Sequence, residues 1–386
     1  MFHLKVGGST PPLKTRRMKK IYLSGFCLLL GVLAAAQSPP HKKAVIGYVF
    51  GSRLLDVSRI EAHRLTHINY AFAVIVENEV VPSPGNRYDE QNIPALQALK
   101  RQNPDLKILT SIGGWGGSGG FSDAALSPES RAAFTRSALA FMQRNQFDGI
   151  DIDWEYPAQP GAGNPYRAED QQNFTLLLQS LRSALDSLAA AQGRKPYLLT
   201  IAAAAGQRFI DLTEMSQVAR YLDFATIMSY DFTGAWSNET GHHSNLYASK
   251  TGQGSTMDGA KSAELLIAAG VPADKLALGA AFYGKAWAMP NTESKGLHQT
   301  ALRFEREYRY HQIRDSLIAQ AGYKRFWDKD AKAHYLFHPS TQIFVTYESP
   351  RAIRHKMRYI RRRGLKGVMF WEYFGDPEGD LLKQMR

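Results

Sequence analysis

Three carboxylic acids, Asp151, Asp153 and Glu155, stand at alternate positions of one short segment of strand-forming residues. Alternate residues of a β-strand share one face, so these side chains are predicted to point the same way, roughly 7 Å apart per step. Ile152 and Trp154 then point the opposite way, into an apolar layer. Carboxylates this close cannot all ionise, and acids are poor strand formers. The sequence therefore indicates an acid ladder that is kept for chemistry.

One member of the acid ladder is predicted to stay protonated near neutral pH, as a general acid must. Glu155 is the candidate, because it comes last and its longer side chain reaches furthest toward a bound molecule. Asp153 is expected to orient a substrate group or to offset positive charge. Asp151 lies deeper and is expected to share a proton with Asp153. Asp148 has the opposite parity, so it is assigned a structural role at the strand start.

Two alternative interpretations of the ladder are a solvated acidic strand and a metal site. The first fits poorly, because Trp154 is apolar and Pro157 closes the segment. The second fits poorly because no histidine is nearby and the spacing is not that of an EF-hand loop. His242 and His243 are adjacent rather than at a metal-binding spacing, and they are predicted to be loop residues. The sequence predicts no metal and no cofactor.

Eight apolar strands alternate with helical patterns, and such alternation predicts parallel pairing. Eight units across this length fit a closed (β/α)8 TIM barrel of the α/β class better than an open sheet. Chemistry in such barrels lies at the C-terminal ends of the strands, where Glu155 falls. Helices are predicted to begin at Ser127 and Ser349, each followed by proline. The predicted strands are Ala44–Val49, His67–Ala73, Lys107–Ile112, Gly149–Glu155, Tyr197–Ala203, Phe224–Tyr230, Ala277–Phe282 and Gly367–Trp371.

The stretch between strands seven and eight is too long for a simple connection and is rich in aromatic residues. A long loop of this composition is not typical of a disordered segment. Residues 285–345 are therefore predicted to form a small α+β insertion beside the barrel mouth, within a catalytic domain over residues 37–386. The aromatic residues of this stretch are Phe304, Tyr308, Tyr310, Phe326, Trp327, Tyr335 and Phe344.

Residues 1–36 have the pattern of a cleavable export signal. A positive region at residues 14–20 precedes the apolar run Ile21–Ala36, which ends in three alanines. Met18 is an alternative start. An uncleaved membrane anchor is the rival interpretation, but the run is short for a span and ends in small residues. Cys27, the only cysteine, lies in this run. The mature protein is thus expected to lack cysteine, to be secreted or periplasmic, and to have no stable membrane association.

The basic balance of the chain does not indicate a nucleic-acid partner. The formal net charge is +12, and six of these charges lie in the predicted leader, which leaves +6. Many of the remaining cations lie between Arg351 and Arg363 in the last predicted helix. A solvated helix face with cations near its C-terminus explains them without the interleaved aromatics of a nucleic-acid surface. No nucleic-acid binding is predicted, and a monomer is expected.

The segment Asp148–Glu155 resembles the DxxDxDxE signature of family 18 glycoside hydrolases, the chitinases, with all four acids in place. Ser111–Trp115 resembles the SxGGW motif of the family, and Met228–Asp231 resembles its MxYD motif. Tyr283-Gly284 and Gly367–Glu372 end predicted strands seven and eight as in the family. A subset of chitinases carries an insertion at the position that residues 285–345 occupy in this chain. In those chitinases the insertion forms one wall of a deep substrate cleft. The resemblance covers essentially the whole mature chain.

The resemblance implies roles for residues at the strand ends. Tyr230 would donate a hydrogen bond to the acetamido carbonyl of the sugar, and Asp231 would contact the same sugar. Trp371 would form the floor under the sugar beside the scissile bond, because sugar C–H faces pack on aromatic planes. Gly113 and Gly114 would allow a tight turn close to a ligand. The other candidates for substrate binding are Trp115, Met228, Tyr283, Tyr48, Phe72 and Trp236.

The implied function is retaining hydrolysis of β-1,4 bonds between N-acetylglucosamine units of chitin or chito-oligosaccharides. No carboxylate on another strand obviously faces Glu155 as a nucleophile, which agrees with a family that uses the N-acetyl group of the substrate. One alternative is an endo-β-N-acetylglucosaminidase acting on N-glycans, which shares the acid motif. The other is a non-catalytic chitin-binding lectin. The aromatic insertion and the Trp154–Pro157 ending favour chitin, and the presence of Glu155 disfavours the lectin.

Two positions depart from the family pattern. Lys285 stands where the family often has arginine, and Tyr347-Glu348 stands where it often has Tyr-Asp. Both departures are predicted to change sugar preference beyond the reacting unit rather than to abolish activity.

Overall fold

Parallel strands form a closed barrel in the computed structural model, which describes Gly8 and residues 43–250, 257–319 and 322–386. The strands are β1 (Ala44–Phe50), β2 (His67–Val76), β3 (Glu79–Pro82), β4 (Lys107–Gly113), β5 (Gly149–Asp153), β6 (Leu198–Ala204), β7 (Phe224–Met228), β8 (Leu276–Ala281), β9 (Tyr283–Ala288), β10 (Arg303–Arg309), β11 (Lys324–Asp328), β12 (Ala333–His338), β13 (Ile343–Tyr347) and β14 (Gly367–Trp371). The helices are α1 (Asp89–Ala98), α2 (Phe121–Ala124), α3 (Pro128–Arg144), α4 (Asp170–Ala191), α5 (Gln207–Asp211), α6 (Met215–Tyr221), α7 (Gly259–Ala268), α8 (Tyr310–Gln312) and α9 (Pro350–Arg363).

Eight of these strands pair in parallel around the ring in the order β1-β14-β8-β7-β6-β5-β4-β2, and β1 pairs with β2 to close it. The short strand β3 pairs antiparallel with β2 and extends it as a hairpin. In the register of β5, Asp151 lies opposite Ser111 of β4 and Thr200 of β6. The predicted (β/α)8 fold class is therefore confirmed, and the acid ladder stands on the fourth strand of the ring.

The helices begin and pack as their sequence patterns predict. Ser127 caps α3 by accepting a hydrogen bond from the backbone N–H of Ser130 at 3.2 Å, and Ser349 caps α9 through Ala352 at the same distance. Each cap satisfies a backbone donor that has no partner within the helix. Helix α9 ends at Gly364, whose φ of 69° is the left-handed conformation that glycine adopts without strain. The buried stripe of α4 comprises Phe174, Leu177, Leu178, Leu181 and Leu185.

The chain between β8 and β14 forms a second, antiparallel sheet in the order β10-β9-β13-β12-β11. Helix α8 and a π-helical turn, Ile313–Ile318, connect β10 to β11. This insertion has its own apolar core, which excludes water from one face of the sheet. Its buried members are Trp287, Met289, Leu297, Tyr335, Phe337 and Phe344.

Two barrel strands end two residues earlier than the sequence predicts. Strand β5 stops at Asp153, because the backbone N–H of Glu155 donates to the Ser118 hydroxyl at 2.9 Å instead of to a neighbouring strand. Strand β7 stops at Met228, and Asp231 has a φ of +59°, which is incompatible with an extended strand. Both acids are therefore carried on turns just beyond their strands.

The predicted leader at residues 1–36 lies outside the described residues, apart from Gly8. Within the described ranges, no helix combines the length and the apolar character that crossing a membrane requires.

Candidate active site

A cleft of about 1350 Å³ opens where the barrel strands end. Six barrel strands contribute their last residue to its lining: Phe50, Gly113, Asp153, Ala204, Met228 and Trp371. The turns after β5 and β7 and the first two strands of the insertion complete the wall. The cleft therefore lies at the end of the barrel where the sequence places the chemistry.

Asp151 is fully buried at the base of the cleft and is surrounded by hydroxyl donors. Its Oδ2 accepts hydrogen bonds from Tyr48 and Ser111, both at 2.7 Å, and its Oδ1 accepts one from Thr200 at 2.5 Å. Burial raises the pKa of Asp151, and the three hydroxyls oppose that rise by stabilising the carboxylate. Since three donors converge on this side chain, it is the member of the ladder best suited to carry charge in the interior.

Asp153 and Glu155 are held in the opposite way. Asp153 is buried, and its Oδ1 has no hydrogen-bond partner among the described residues. Burial, followed by the charges of Glu155 and Asp151, raises the pKa of Asp153 well above its ordinary value. Burial also raises the pKa of Glu155 to about 7. The raised pKa values favour the protonated forms of Asp153 and Glu155, and both side chains face the cleft.

The apolar side of the ladder packs as predicted. Trp154 is buried and stacks on Phe121, with ring centroids 5.1 Å apart, and meets Phe174 of α4 edge-on. Asp148 precedes the strand and accepts a hydrogen bond from the backbone N–H of Ile108 at 2.8 Å, and Lys100 lies 2.7 Å from the same oxygen. These contacts fix the start of β5 and hence the direction of the ladder.

Asp231, Lys285 and Glu307 form a second charged group in the cleft, called the lysine network below. The Lys285 ammonium lies 2.8 Å from Asp231 and 3.3 Å from Glu307, and the Tyr283 hydroxyl donates to Asp231 at 2.6 Å. Burial would raise the pKa of Asp231, but neighbouring His243 and Lys285 lower it to about 2. The Asp231 carboxyl is therefore ionised at neutral pH.

The Tyr230 hydroxyl lies in the cleft between the two charged groups. Among the described residues, the hydroxyl donates to the sulfur of Met369 at 3.9 Å, which is a weak acceptor. Burial, followed by the charges of Asp153 and Asp231, raises the pKa of Tyr230 well above its ordinary value. The hydroxyl is therefore a neutral donor that is available to a ligand.

Aromatic rings line the cleft at two depths. Trp371 lies stacked on Phe72 with centroids 5.6 Å apart, and this pair forms an apolar floor. Trp115 and Trp236 stand at the rim, with 56% and 67% of their surface exposed. Exposed tryptophans are costly to solvate, and flat exposed rings are typical of sugar-binding surfaces.

Glycine is required where β4 reaches the cleft. Gly113 and Gly114 have φ values of 109° and 81°. A Cβ on Gly113 would stand 2.2 Å from the carbonyl oxygen of Asp153, and one on Gly114 would stand 2.6 Å from the Phe72 ring. The two glycines therefore allow β4 to lie against the acid ladder and the cleft floor.

Most of the residues predicted for the site line one cleft. Glu155, Asp153, Tyr230, Asp231 and Tyr283 share it with seven others. Those seven are Trp115, Met228, Trp371, Phe72, Trp236, Gly113 and, from the insertion, Lys285. Gly114 packs behind Phe72, and Asp151 lies beneath the wall.

The structure does not place Tyr48, a predicted sugar contact, in the lining of the cleft. Tyr48 is 2% exposed beneath Trp371, with ring centroids 5.8 Å apart, and its hydroxyl is engaged by Asp151. A β1 side chain that points into the barrel at this level meets the base of the ladder rather than the cleft. Tyr48 therefore supports Asp151 and Trp371.

The predicted effect of Tyr347-Glu348 on the cleft is likewise corrected. Glu348 is buried and pairs with Lys356 at 2.6 Å and with the Ser244 hydroxyl at 2.9 Å. Neither Tyr347 nor Glu348 lines the cleft. The pair instead joins the end of β13 to α9.

The aromatic residues of the insertion also differ from expectation. Only Tyr308 among them reaches the cleft, beside the polar side chains Glu307, Arg309 and Gln312. Tyr335 and Phe344 belong to the core of the insertion. This wall of the cleft is therefore charged rather than aromatic, and the aromatic count does not favour one sugar substrate over another.

Sequence reasoning missed three supporting residues. Ser118 ties the turn after β5 to the loop after β4, since its hydroxyl meets the backbone of Glu155. His243, predicted to be a plain loop residue, is buried with its Nδ1 3.7 Å from Asp231. Glu307 pairs with Lys285. Only Lys285 had a signal in the sequence, as a departure from the family pattern.

In the described ranges, no cluster of three or more acids, histidines or cysteines is arranged to hold a metal.

Comparison with known proteins gives the site a family. A family model described as "Glycosyl hydrolases family 18" matches residues 44–376. Chitinase A1 of Niallia circulans is 33% identical over 96% of this chain, which spans 63% of that longer protein. Chitinase 1 of Aphanocladium album is 34% identical over 83% of this chain and 78% of its own length.

A solved structure extends the match to three dimensions. It is a glycoside hydrolase family 18 N-acetylglucosaminidase from Paenibacillus barengoltzii, 40% identical to this chain, with a TM-score of 0.82 over 89% of this chain and 98% of that one. The family resemblance and the enzyme class that it implies, glycoside hydrolase, are confirmed. With its signature acids on the fourth barrel strand and a family match across the whole barrel, the chain belongs to family 18 of the glycosyl hydrolases.

Proposed function

We propose that the protein hydrolyses β-1,4 bonds between N-acetylglucosamine units of chitin or its oligomers, with retention and with the N-acetyl group of the substrate as the nucleophile. The observation that carries this proposal is the pair Asp153 and Glu155. Glu155 has a pKa of about 7, and Asp153 beside it is buried with an unpartnered oxygen. Such a pair can supply a proton to a leaving oxygen and can accept a hydrogen bond from a substrate amide.

The other carboxylates of the cleft are poorly suited to attack the anomeric carbon. Asp231 and Glu307 are both bound to Lys285, and Asp231 also accepts from Tyr283. Glu372 accepts a hydrogen bond from the backbone N–H of Phe374 at 3.1 Å. A nucleophile whose lone pairs are engaged in ion pairs reacts slowly. These contacts support a mechanism in which the substrate provides the nucleophile.

The proposed steps use the atoms that face the cleft. Glu155 donates its proton to the glycosidic oxygen while the acetamido oxygen attacks the anomeric carbon, and an oxazolinium ion forms. Asp153 accepts the acetamido N–H and offsets the positive charge, and the Tyr230 hydroxyl donates to the acetamido oxygen. Glu155, now ionised, deprotonates a water molecule. This water attacks the anomeric carbon from the face that the leaving group has left, which opens the oxazolinium ring and retains the configuration. Trp371 supports the reacting sugar from below.

The identity of the substrate rests on the relatives. Chitinases of Niallia circulans and Aphanocladium album carry chitin in their names, which supports chitin or its oligomers. The Paenibacillus barengoltzii relative, described as an N-acetylglucosaminidase, supports a second candidate, the release of single N-acetylglucosamine units from short oligomers. Both candidates use the same reacting sugar and differ only in how many units the cleft holds on each side.

The test is an early time course with the N-acetylglucosamine hexamer and the purified mature protein. Products are separated by size and anomer before mutarotation. Dimers to tetramers in the β-form support a retaining endo-acting chitinase, and β-N-acetylglucosamine alone supports the single-unit candidate. An intact hexamer together with release of glycan from an N-glycoprotein would contradict both and favour the N-glycan alternative. Hexamer binding without products from either substrate would favour a lectin.

We further propose that the protein is exported with removal of residues 1–36. The support is the charged, apolar and small-residue order of that segment. Mass measurement of the N-terminal peptide of the protein collected outside the cytoplasm tests this. A peptide that begins at Gln37 agrees with the proposal, and an intact N-terminus in an anchored protein contradicts it.

A further inference from the structure

We propose that a second pocket, which shares no residue with the cleft, binds a small oxyanion: a phosphate or carboxylate group, free or carried by a sugar. The pocket has a volume of about 690 Å³ and lies between the insertion, the start of α9 and the C-terminal segment. It is called the arginine pocket here. Its polar lining includes Arg325, His334, Tyr347, Arg351 and Arg354.

The arginine pocket holds positive charge that no described acid cancels. Arg325, Arg351 and Arg354 form no ion pair within the described ranges, although all three line the pocket. The fourth arginine of the lining, Arg314, is already paired with three acids, among them Asp380 at 2.8 Å. Asp380 is the one carboxylate among the described lining residues. Arg354 donates to the Gln384 side chain at 2.9 Å and Arg325 contacts His334, but neither partner is an anion. Three guanidinium groups therefore keep uncancelled charge for a ligand, and guanidinium groups match the geometry of oxyanions.

The positive charge of the arginines acts on His334 in the pocket wall. Its Nδ1 lies 3.3 Å from the Arg325 guanidinium and 2.7 Å from the Ser349 hydroxyl. Burial, followed by the charges of Arg325 and Arg351, lowers the pKa of His334 to about 3. The imidazole is therefore neutral, and its acceptor nitrogen leaves Arg325 without a negative partner.

Tyr347 gives the pocket a buried donor without an acceptor. The side chain is 3% exposed and lines the pocket, and no described residue accepts a hydrogen bond from its hydroxyl, toward which the neighbouring Arg325 guanidinium can only donate. Burial raises the pKa of Tyr347 to about 12, so the hydroxyl keeps its proton. A buried O–H group without an acceptor is costly, and an oxygen atom of a bound anion would remove that cost.

The start of α9 adds to the attraction. Pro350 and Arg351 form the first turn of this 14-residue helix and both line the pocket. A helix N-terminus carries partial positive charge and is a common anion site. The Arg351 guanidinium is held over the Trp327 ring at 4.0 Å, which fixes its position before a ligand arrives. Arginines without an acidic partner, a phenol whose O–H has no acceptor among the described residues, and a helix start thus converge on one pocket.

The test is calorimetric titration of the full chain with inorganic phosphate, N-acetylglucosamine 6-phosphate and N-acetylmuramic acid, with N-acetylglucosamine as the neutral control. At least one anion is expected to bind saturably, and the neutral sugar is not expected to bind here. Equal affinity for inorganic phosphate and the phosphosugar would identify free phosphate as the ligand. A preference for either acidic sugar would identify a sugar-borne anion.

Variants assign that binding to the arginine pocket. Arg325→Gln and Arg351→Gln should each weaken it about tenfold, and Tyr347→Phe about fivefold, because each removes one hydrogen bond to the anion. The matched control is Arg361→Gln, an exposed position of α9 outside the pocket with the same change of charge. It should leave affinity unchanged. No saturable binding of any anion, or an equal loss in Arg361→Gln, would overturn the proposal.

Discussion

The two charged groups of the cleft use the same residue type for opposite purposes. In the acid ladder, Asp153 and Glu155 are buried without cations, and their pKa values are raised. In the lysine network, Asp231 contacts Lys285 and Tyr283, and its pKa is lowered to about 2. Glu155 and Asp231 both stand just beyond a barrel strand. Their neighbours, rather than their place on the fold, decide which acid carries a proton and which carries charge.

The largest expected effect comes from the end of the acid ladder. Glu155→Gln removes the proton donor and the later base while it keeps the shape of the side chain. Turnover of the hexamer should fall by about 10³-fold or more, with the hexamer still bound. The matched control is Glu307→Gln, the same chemical change in the charged wall of the same cleft, for which a far smaller loss is expected. Equal losses of turnover in the two variants would show that the acid ladder and the lysine network do not differ in their role in the reaction.

Asp153→Asn is expected to have the next largest effect. Asparagine can still contact an acetamido group but cannot become negative, so it cannot offset the charge of the oxazolinium ion. The value of kcat should fall by about 10²-fold, with a small change in KM. Steady-state kinetics with a chromogenic chitobioside measure this. A raised KM with an unchanged kcat would contradict this, because Asp153 would then bind the substrate without stabilising the transition state.

The raised pKa of Glu155 also predicts a change in stability. A carboxyl whose pKa is about 7 when folded and ordinary when unfolded binds more protons in the folded state between these two values. The free energy of unfolding should therefore fall as pH rises from the unfolded pKa to about 7. Glu155→Gln removes this loss, and should be more stable than the parent by about 3 kcal/mol at pH 8.

Denaturant unfolding at pH 8 and pH 4 checks this prediction. The gain at pH 8 should largely disappear at pH 4, where the carboxyl is protonated in both states. A gain that is independent of pH would mean that the glutamine stabilises the fold by packing alone.

The smallest expected effect lies in the lysine network. Lys285→Gln removes the cation beside Asp231, so the pKa of Asp231 should rise and the acid limb of the pH–activity profile should move to higher pH. At neutral pH, kcat/KM should fall by about tenfold, because the sugar contact of Asp231 is less well held. Lys285→Arg restores the charge and should recover most of the loss. If the acid limb of the pH–activity profile is unchanged in Lys285→Gln, then activity does not depend on the ionisation of Asp231.

The sign of the Asp231 effect on stability follows from its lowered pKa. A depressed pKa contributes stability that is present above the unfolded pKa and is lost as pH falls toward about 2. Lys285→Gln should therefore be less stable than the parent at neutral pH, and the difference should shrink in acid.

Much of the barrel was predictable because its signals are local. The alternation of Asp151, Ile152 and Asp153 sets their faces without any knowledge of the fold, since a strand has a period of two. The caps at Ser127 and Ser349 mark helix starts through contacts three residues away. Strand ends were less accurate, because the contact that ends β5 is made by Ser118, a residue from another loop.

The parts that were not predictable depend on long-range contacts. The Lys285–Asp231 pair joins the insertion to the end of β7, and a sequence shows only that both charges exist. Tyr48 was expected in the cleft because it is an aromatic residue near a strand end, but its depth depends on the closure of the whole barrel. The aromatic residues of the insertion likewise serve its own core, a choice that depends on the pairing of its five strands.

The most direct test of the central claim, attack by the N-acetyl group, is a series of aryl chitobiosides whose reacting sugar carries acetyl, fluoroacetyl, difluoroacetyl or trifluoroacetyl on nitrogen. Each fluorine makes the carbonyl oxygen a weaker nucleophile while the leaving group stays the same. The account predicts that kcat/KM falls steeply with every fluorine added. A nearly flat series would contradict it, because a carboxylate of the protein would then be the nucleophile.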